Sequence, residues 1–486
     1  MLLKKILNIQ TKNITSAALI LGAASFISVV LGLFRDRLLA SRFGAGNELD
    51  AYYAAFRIPD FISMVLIMGA ISAAIIPVFN EYLVRSKKEA FEFLSNLFNL
   101  FLSCLIIVLI IFTIFAPQLM SLIAPGFSGE KKTLAILLTR IMFLSPILLG
   151  ISNIISSVLQ VFRRFLITSL TPIVYNLGII FGILFLVPKM GVQGLAWGVA
   201  LGAFFHLAIQ IPLLFKVGFR LKKIFDFRQA GFLKVIKLTI PRSIGLAASQ
   251  INLIVVTAIA STLAPGSITV FNLADNFSRP LLTLIAVSFF LASFPILSLS
   301  FSKGNKEKFN QVFSLVFSRT LYLVLPLSFL LFLFRDIIVS IILRVGKFGL
   351  VDANLTAACL GMFAFGLFAQ SLNLLLANAF YALQDTKTPA LTSVAGMTAN
   401  IIFCLVFVRV FSAPNSFQQF FFNFFNLQKI NHPEVIGLPL AISLSAIIQF
   451  LILLVLFWQK KKKYSFTRAT AKGEDEGKPE GVNFID

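Results

Sequence analysis

Eight charged residues crowd the stretch from Gly32 to Phe61, "GLFRDRLLASRFGAGNELDAYYAAFRIPDF", directly after the chain's first long apolar run. Arg35, Arg37, Arg42 and Arg57 stand against Asp36, Glu48, Asp50 and Asp60. Charges at membrane depth are costly, turn toward a bundle interior or a wet cavity, and pair with one another. Two arrangements suit them: an outer loop stapled by local ion pairs, or the polar wall of a cavity between helix bundles. A second pair, Asp275 and Arg279, sits at i,i+4 just before Pro280. Asp36, Asp50 and Asp275 are the carboxylates near enough to such a cavity to couple its work to a cation. Amides inside apolar runs, Gln250 and Asn252 in one and Gln370 and Asn373 in another, could contact a polar ligand. They serve equally well as hydrogen bonds between helices.

Other chemistry has little to work with. Cys104, Cys359 and Cys404 all lie in apolar runs, and the two histidines, His206 and His432, are far apart. Neither a metal set nor histidine catalysis follows from them. No phosphate-binding glycine loop is present, and no long loop carries clustered carboxylates. The reading is therefore no enzyme, no cofactor and no metal, with a coupling cation or the membrane potential as the energy source.

The elements that must position these residues are helices in a bilayer. Hydrophobic residues make up 58% of the 486 and charged residues 13%, whereas soluble domains hold about 45–50% and 25%. A helix crosses the hydrocarbon with roughly 17–25 apolar residues. Twelve runs qualify: near 14–34, 51–80, 91–116, 134–160, 167–188, 192–215, 236–262, 268–299, 312–334, 354–381, 389–411 and 435–458. The first reads as a retained helix and not as a cleaved signal. Placing both termini in the cytoplasm puts most Lys and Arg inside, among them Lys87, Lys88, Arg163, Arg164, Lys222 and the run Lys460–Lys463. The net charge of +22 is then largely a topology signal. Its dispersal over many short loops argues against nucleic acid as a partner.

An internal repeat divides the chain. "PVFNEYLVRSKKEAF" from Pro77 and "PILSLSFSKGNKEKF" from Pro295 match at Pro77/Pro295, Lys88/Lys306, Glu89/Glu307 and Phe91/Phe309, all at one offset. Six spans per half is an even number, so both halves enter from the same side. The expected fold is an all-α polytopic membrane protein with about 12 transmembrane helices in two parallel six-helix bundles around a central cavity. The expected divisions are an N-terminal bundle over 1–215, a basic cytoplasmic linker over 216–235 that could touch anionic lipid, a C-terminal bundle over 236–458, and a disordered cytoplasmic tail over 459–486. The Phe-rich segment 416–434 suggests an interfacial stretch on the outer leaflet or a plug.

The motifs "GLFRDRLLASRFGAG", "DAYYAAFRIPDF", "AIIPVFNEY", "APGF" and "YALQDTKTP" resemble the MurJ/MviN family, lipid II flippases of the multidrug/oligosaccharidyl-lipid/polysaccharide exporter superfamily. The resemblance runs through all twelve spans in order. It implies a bacterial cytoplasmic-membrane protein that moves a polyprenyl-pyrophosphate-linked peptidoglycan precursor to the outer leaflet by alternating access between bundles. It also implies a substrate contact at Arg35, with envelope-synthesis enzymes as further partners. Three positions where it implies cavity arginines hold Val29, Ser63 and Asn276 instead, with Arg57 and Arg279 close by as stand-ins. Two family helices after the twelfth span have no counterpart in the tail. The reading of these residues leaves open an exporter of another lipid-linked glycan or amphiphile, and a non-transporting scaffold for envelope synthesis.

Overall fold

A computed structural model describes residues 14–68, 71–425 and 432–463, apart from a few side chains within them. The chain is helical, and there are no strands among the described residues. The first span is α1 (Ile14–Phe43). The second is α2 (Asn47–Ile62), a π-helical turn at Ser63–Met68, and α3 (Ile71–Arg85). Then come α4 (Lys87–Ile114), the short α5 (Ala116–Ile123), and a fourth span built from α6 (Gly129–Met142) and α7 (Leu144–Val161). α8 (Phe165–Phe181) runs through a π turn into α9 (Val187–Met190), and α10 (Gln193–Ala208) with α11 (Ile211–Val217) completes the first six.

The second six repeat the plan. α12 (Ala230–Ser261) is followed by α13 (Ser267–Leu282), a π turn at Thr283–Val287, and α14 (Ser288–Ser302). α15 (Lys306–Leu333), α16 (Arg335–Leu343), α17 (Leu350–Ala382), α18 (Lys387–Ser412), α19 (Ser416–Phe425) and α20 (Gly437–Lys463) complete it. Among the described residues nine helices are long and apolar enough to cross a membrane, and Leu246–Ser261 adds a shorter apolar stretch. The repeat is visible in detail. α4 and α15 are 28 residues each, and each is capped by the side chain just before it, Ser86 on the Glu89 N–H and Asn305 on the Lys308 N–H. The repeat-related pair α2–α3 and α13–α14 each carry a π turn shortly after a proline, Pro59 or Pro280. Proline deletes an intrahelical hydrogen bond and crowds the preceding turn, which is how such irregular turns arise.

Lipid replaces water around most of the surface, so large apolar side chains such as Phe26, Ile107, Phe329 and Leu391 point outward. Packing must then come from close backbone approach. Gly178 and Gly182, on α8 and its π turn, face Gly202 and Gly198 of α10. A methyl group added at Gly178 would come within 2.3 Å of the Gly202 Cα, and one at Gly182 within 2.5 Å of the Gly198 Cα.

Three expectations shift. α1 continues eight residues past Arg35, because "LLASRF" sustains the helix, so the arginines lie on the helix and not at its mouth. α12 begins at Ala230, inside the expected linker, whose remaining part is pinned to α4: Asn96 donates to the Asp226 carbonyl and Asn99 to those of Lys222 and Ile224. The Phe-rich segment forms α19, with Phe417, Phe420 and Phe424 exposed and Phe425 resting 4.6 Å from the Arg335 guanidinium; residues 426–431 lie outside the described residues, as does most of the tail.

Candidate functional site

α1 and α13 face each other across the two bundles, and a cavity of about 250 Å³ opens between them. Its walls include Val29, Arg35, Asp36, Asn276, Arg279 and Pro280. The Arg35 guanidinium donates to Asp36 Oδ1 through Nε (3.0 Å) and Nη2 (2.8 Å), and through Nη1 to Asn176 Oδ1 on α8 (3.2 Å). Asn176 is itself oriented by donating to Ser28 Oγ and the Pro172 carbonyl. Asp36 is buried, and its second oxygen accepts from Asn276 Nδ2 at 2.9 Å. One network therefore joins α1, α8 and α13. Asn276, where the resemblance implied an arginine, is the residue that closes it.

Arg279 donates to Asp275 at 2.5 Å, the i,i+4 pair anticipated from sequence, yet half of its side chain remains exposed. Arg57 is buried, donating at 2.7 Å to Thr257 Oγ1 on α12 and at 2.7 Å to Asn272 Oδ1 on α13. Its partners are neutral, so its charge is uncompensated by direct contact among the described residues. Arg279 and Asp275 lie near enough to couple to it electrostatically. One turn on from Arg57, the exposed Asp60 feels Arg35, Arg57 and Arg279 together, though it pairs directly with none of them. Sequence reasoning counted Asp60 among the charges of its stretch but not among the coupling carboxylates. Its i,i+3 spacing from Arg57 was the available signal, while its closeness to Arg35 and Arg279 depends on three helices. Arg35, Asp36 and Arg279 line the opening, Asp275 is paired to Arg279, and Arg57 and Asp60 lie within electrostatic reach, a setting for an oxyanion that the carboxylates must yield to.

Other candidates lie elsewhere. Asp50 is no cavity wall: it is buried at the end away from the basic loops, where it terminates α13 across the bundle boundary. Oδ2 accepts from Lys131 Nζ (2.9 Å) and the Gly266 N–H (2.7 Å), and Oδ1 from the N–H and hydroxyl of Thr269 (2.9 Å each). A carboxylate at a helix N-terminus satisfies open donors and opposes the helix dipole. Arg37 does the converse to α16, donating to the carbonyls of Ile341 (2.5 Å) and Ile342 (2.8 Å). Lys347 N–H to the Ser41 carbonyl and Gly126 N–H to Ser261 Oγ add to this seal. At the basic end the start of α12 reaches α3 through Lys234–Glu81 and the Gly231 N–H to Tyr82.

Two of the amides bond helix to helix. Asn252 accepts from Asn400 on α18 at 2.8 Å, and Asn373 donates to the Ala446 carbonyl on α20 at 2.9 Å. Gln250 is buried and Gln370 partly so, and neither lines the cavity. An apolar stretch has few polar partners to offer, and helix-to-helix bonds take the amides first. Ser63 starts the π turn of the second span. No group of His, Cys, Asp and Glu able to hold a metal occurs among the described residues.

The family model "Lipid II flippase MurJ" matches residues 39–472. The chain belongs to the MurJ family. Relatives include a probable lipid II flippase MurJ of Buchnera aphidicola from Schizaphis graminum, 32% identical over 79% of this chain and 75% of its own. The lipid II flippase MurJ of Burkholderia cenocepacia is 28% identical, covering 82% and 78%. Among solved structures, a lipid II flippase MurJ in an inward closed conformation superposes with a TM-score of 0.74 at 28% identity, over 91% of this chain and 89% of the other. An inward-facing multidrug transporter of the MATE family superposes at 0.71 with 13% identity, over 91% and 96%, a likeness of fold alone. The chain is thus a multi-pass membrane protein of the MurJ family, built as two six-helix bundles around a cavity, and a transporter by family and not an enzyme.

Proposed function

We propose that this family member flips lipid II, the polyprenyl-pyrophosphate-linked peptidoglycan precursor, from the cytoplasmic to the outer leaflet of a bacterial inner membrane. The observation that carries the reading is that Arg35 and Arg279 line one opening between the bundles, with Asp60 and the buried Arg57 within electrostatic reach of Arg279. Guanidinium forks suit a diphosphate bidentately, and a polar groove spares the sugar headgroup the hydrocarbon. The basic end is the cytoplasmic end in this reading, and both termini lie there. The headgroup enters between α1 and α13 while the far end is sealed by Asp50 and Arg37. The diphosphate then draws Arg279, and in part Arg35, away from their carboxylates. Rocking of the bundles about the π turns of the second and eighth spans opens the sealed end.

The carboxylates also suggest how the empty carrier resets. With the diphosphate gone, Arg279 returns to Asp275 and Arg35 to Asp36, and Asp60 is left among three cations. A proton, another cation or the membrane potential acting on these groups would drive the return. The test is lipid II translocation in proteoliposomes, comparing wild type with Arg35→Ala and Arg279→Ala at matched protein levels. Loss of transport in both, with each variant retaining its thermal unfolding midpoint, supports the reading. Full transport by both overturns it.

A further inference from the structure

Along α12 lies a larger opening, an apolar groove of about 880 Å³. It shares no lining residue with the charged cavity. Ile58 and Phe61 of α2 and Leu119 of α5 form one wall; Ile254 and Ala258 of α12 and Leu405 of α18 form the other. Both bundles therefore contribute to it. It runs along α12 from Ile251 to Thr262, a rise of roughly 16 Å at 1.5 Å per residue, which is about half the hydrocarbon thickness. At the end away from the basic loops it reaches Ser412, Thr262 and Arg409. Arg409 is exposed and makes no hydrogen bond or ion pair among the described residues. It lies three residues before the end of α18, and a long cationic side chain near the end of a spanning helix reaches toward the headgroup interface.

We propose that this groove holds one acyl chain of a phospholipid whose phosphate rests on Arg409. The length matches one leaflet, and the volume lies in the range of pockets that enclose organic ligands. The single cation stands where the phosphate would be, and guanidinium–phosphate pairing is the natural complement to it. A chain in this position touches both bundles at the sealed end, so it stabilises the state described here and must leave or shift when that end opens. This inference stands on the groove alone and is independent of what the charged cavity carries.

The test is native mass spectrometry of the full chain extracted in mild detergent, with Ala258→Phe and Leu405→Trp as fillers of the groove and Arg409→Ala and Arg409→Lys at one end of it. Wild type is expected to retain one phospholipid per chain, and each filler to lose it. Arg409→Ala should weaken retention about tenfold, the factor for one charge-assisted hydrogen bond, and Arg409→Lys should restore part of it. Thermal unfolding of the delipidated proteins separates lost binding from lost folding: adding phospholipid should raise the wild-type midpoint and leave that of a folded filler variant unmoved. Equal retention by wild type and either filler variant overturns the proposal, as does a retained mass that is a polyprenyl lipid and not a phospholipid.

Discussion

Replacing Asp50 by Asn keeps the side chain's shape and removes its charge. In the sealed state that carboxylate accepts four hydrogen bonds, from Lys131, the Gly266 N–H, and the N–H and hydroxyl of Thr269. Three of the four tie α2 to α13 across the bundles. The amide keeps one acceptor oxygen and turns an NH₂ toward donors, so the ammonium of Lys131 loses its partner and at least one donor of α13 is left open. Hydrogen bonds to charged groups contribute about 1.5–3 kcal/mol each, and an unsatisfied buried donor costs about 1–3 kcal/mol. A net loss of about 3 kcal/mol from the sealed state is a shift of roughly 100-fold in the equilibrium between sealed and open. If the open state occupies about 1% of molecules, within the usual range for a minor state, the substitution brings it to about half. Spin labels at the exposed positions Glu130 and Val351, one on each bundle at that end, report the change by pulsed electron resonance in a background without the native cysteines. A second, longer distance should appear in Asp50→Asn. An unchanged single distance, in a variant that still folds, would show that Asp50 does not latch the bundles and would refute the reasoning.

Three further outcomes are expected. Asp60→Asn removes a negative charge beside three arginines; at ~8 Å and an effective dielectric near 20 that is worth about 2 kcal/mol to a bound phosphate. Binding of a pyrophosphate-headed lipid should therefore tighten by about 30-fold at low salt and by less at high salt, and weaker binding would contradict the placement. Gly198→Leu drives a side chain into the backbone at Gly182 and should cost more than about 2 kcal/mol, read as a lower unfolding midpoint, whereas the same change at the unencumbered Gly22 should not. Asp385, in the turn before α18, accepts from Lys460 and from the N–H and hydroxyl of Thr388. Burial alone would raise its carboxyl, and these donors outweigh that and pull it down to about 2. A depressed carboxyl stabilises the fold above its unfolded value near 4 and loses that contribution as pH falls through about 2. Wild type should therefore lose about 2 kcal/mol more than Asp385→Asn between pH 4 and pH 2, measured by thermal unfolding in detergent.

What the sequence made legible was whatever depends on neighbours along the chain. The spans are visible because each apolar run must satisfy its own backbone in lipid, and the repeat because duplicated caps and prolines stay in place. The Arg279–Asp275 pair is a matter of i,i+4 spacing, and the exposed phenylalanines of α19 recur at helical intervals. Asp50 was legible as a significant charge, but its partner is the start of a helix more than two hundred residues away, and nothing near Gly266 announces an open N-terminus in need of a carboxylate. Asp60 was legible as one of the charges of its stretch and not as a coupling candidate, since its surroundings come from three helices. Asn252 and Asn373 could have faced either the cavity or a neighbouring helix, and only the rotation of α12 and α17 decides that. The glycine spacing at 178 and 182 against 194, 198 and 202 was local and readable, yet its meaning rests on which two helices meet.

That glycine contact has a mechanical consequence. Where two helices touch backbone to backbone, no layer of side chains remains to slide or repack, so α8 and α10 behave as one stiff beam. The continuous helix from Phe165 to Met190 has 26 residues, about 39 Å at 1.5 Å per residue. Tilted by about 10° around its middle, each end of such a beam travels roughly 3 Å in opposite directions, about the length of one hydrogen bond. α1, which carries Arg37, packs along α8, so a displacement of about one hydrogen bond at one end of the beam is delivered, with reversed sign, to the other. A stiff lever of this kind keeps the two ends from being open together, and a leak across the bilayer is avoided by geometry before any residue has to sense which side is occupied.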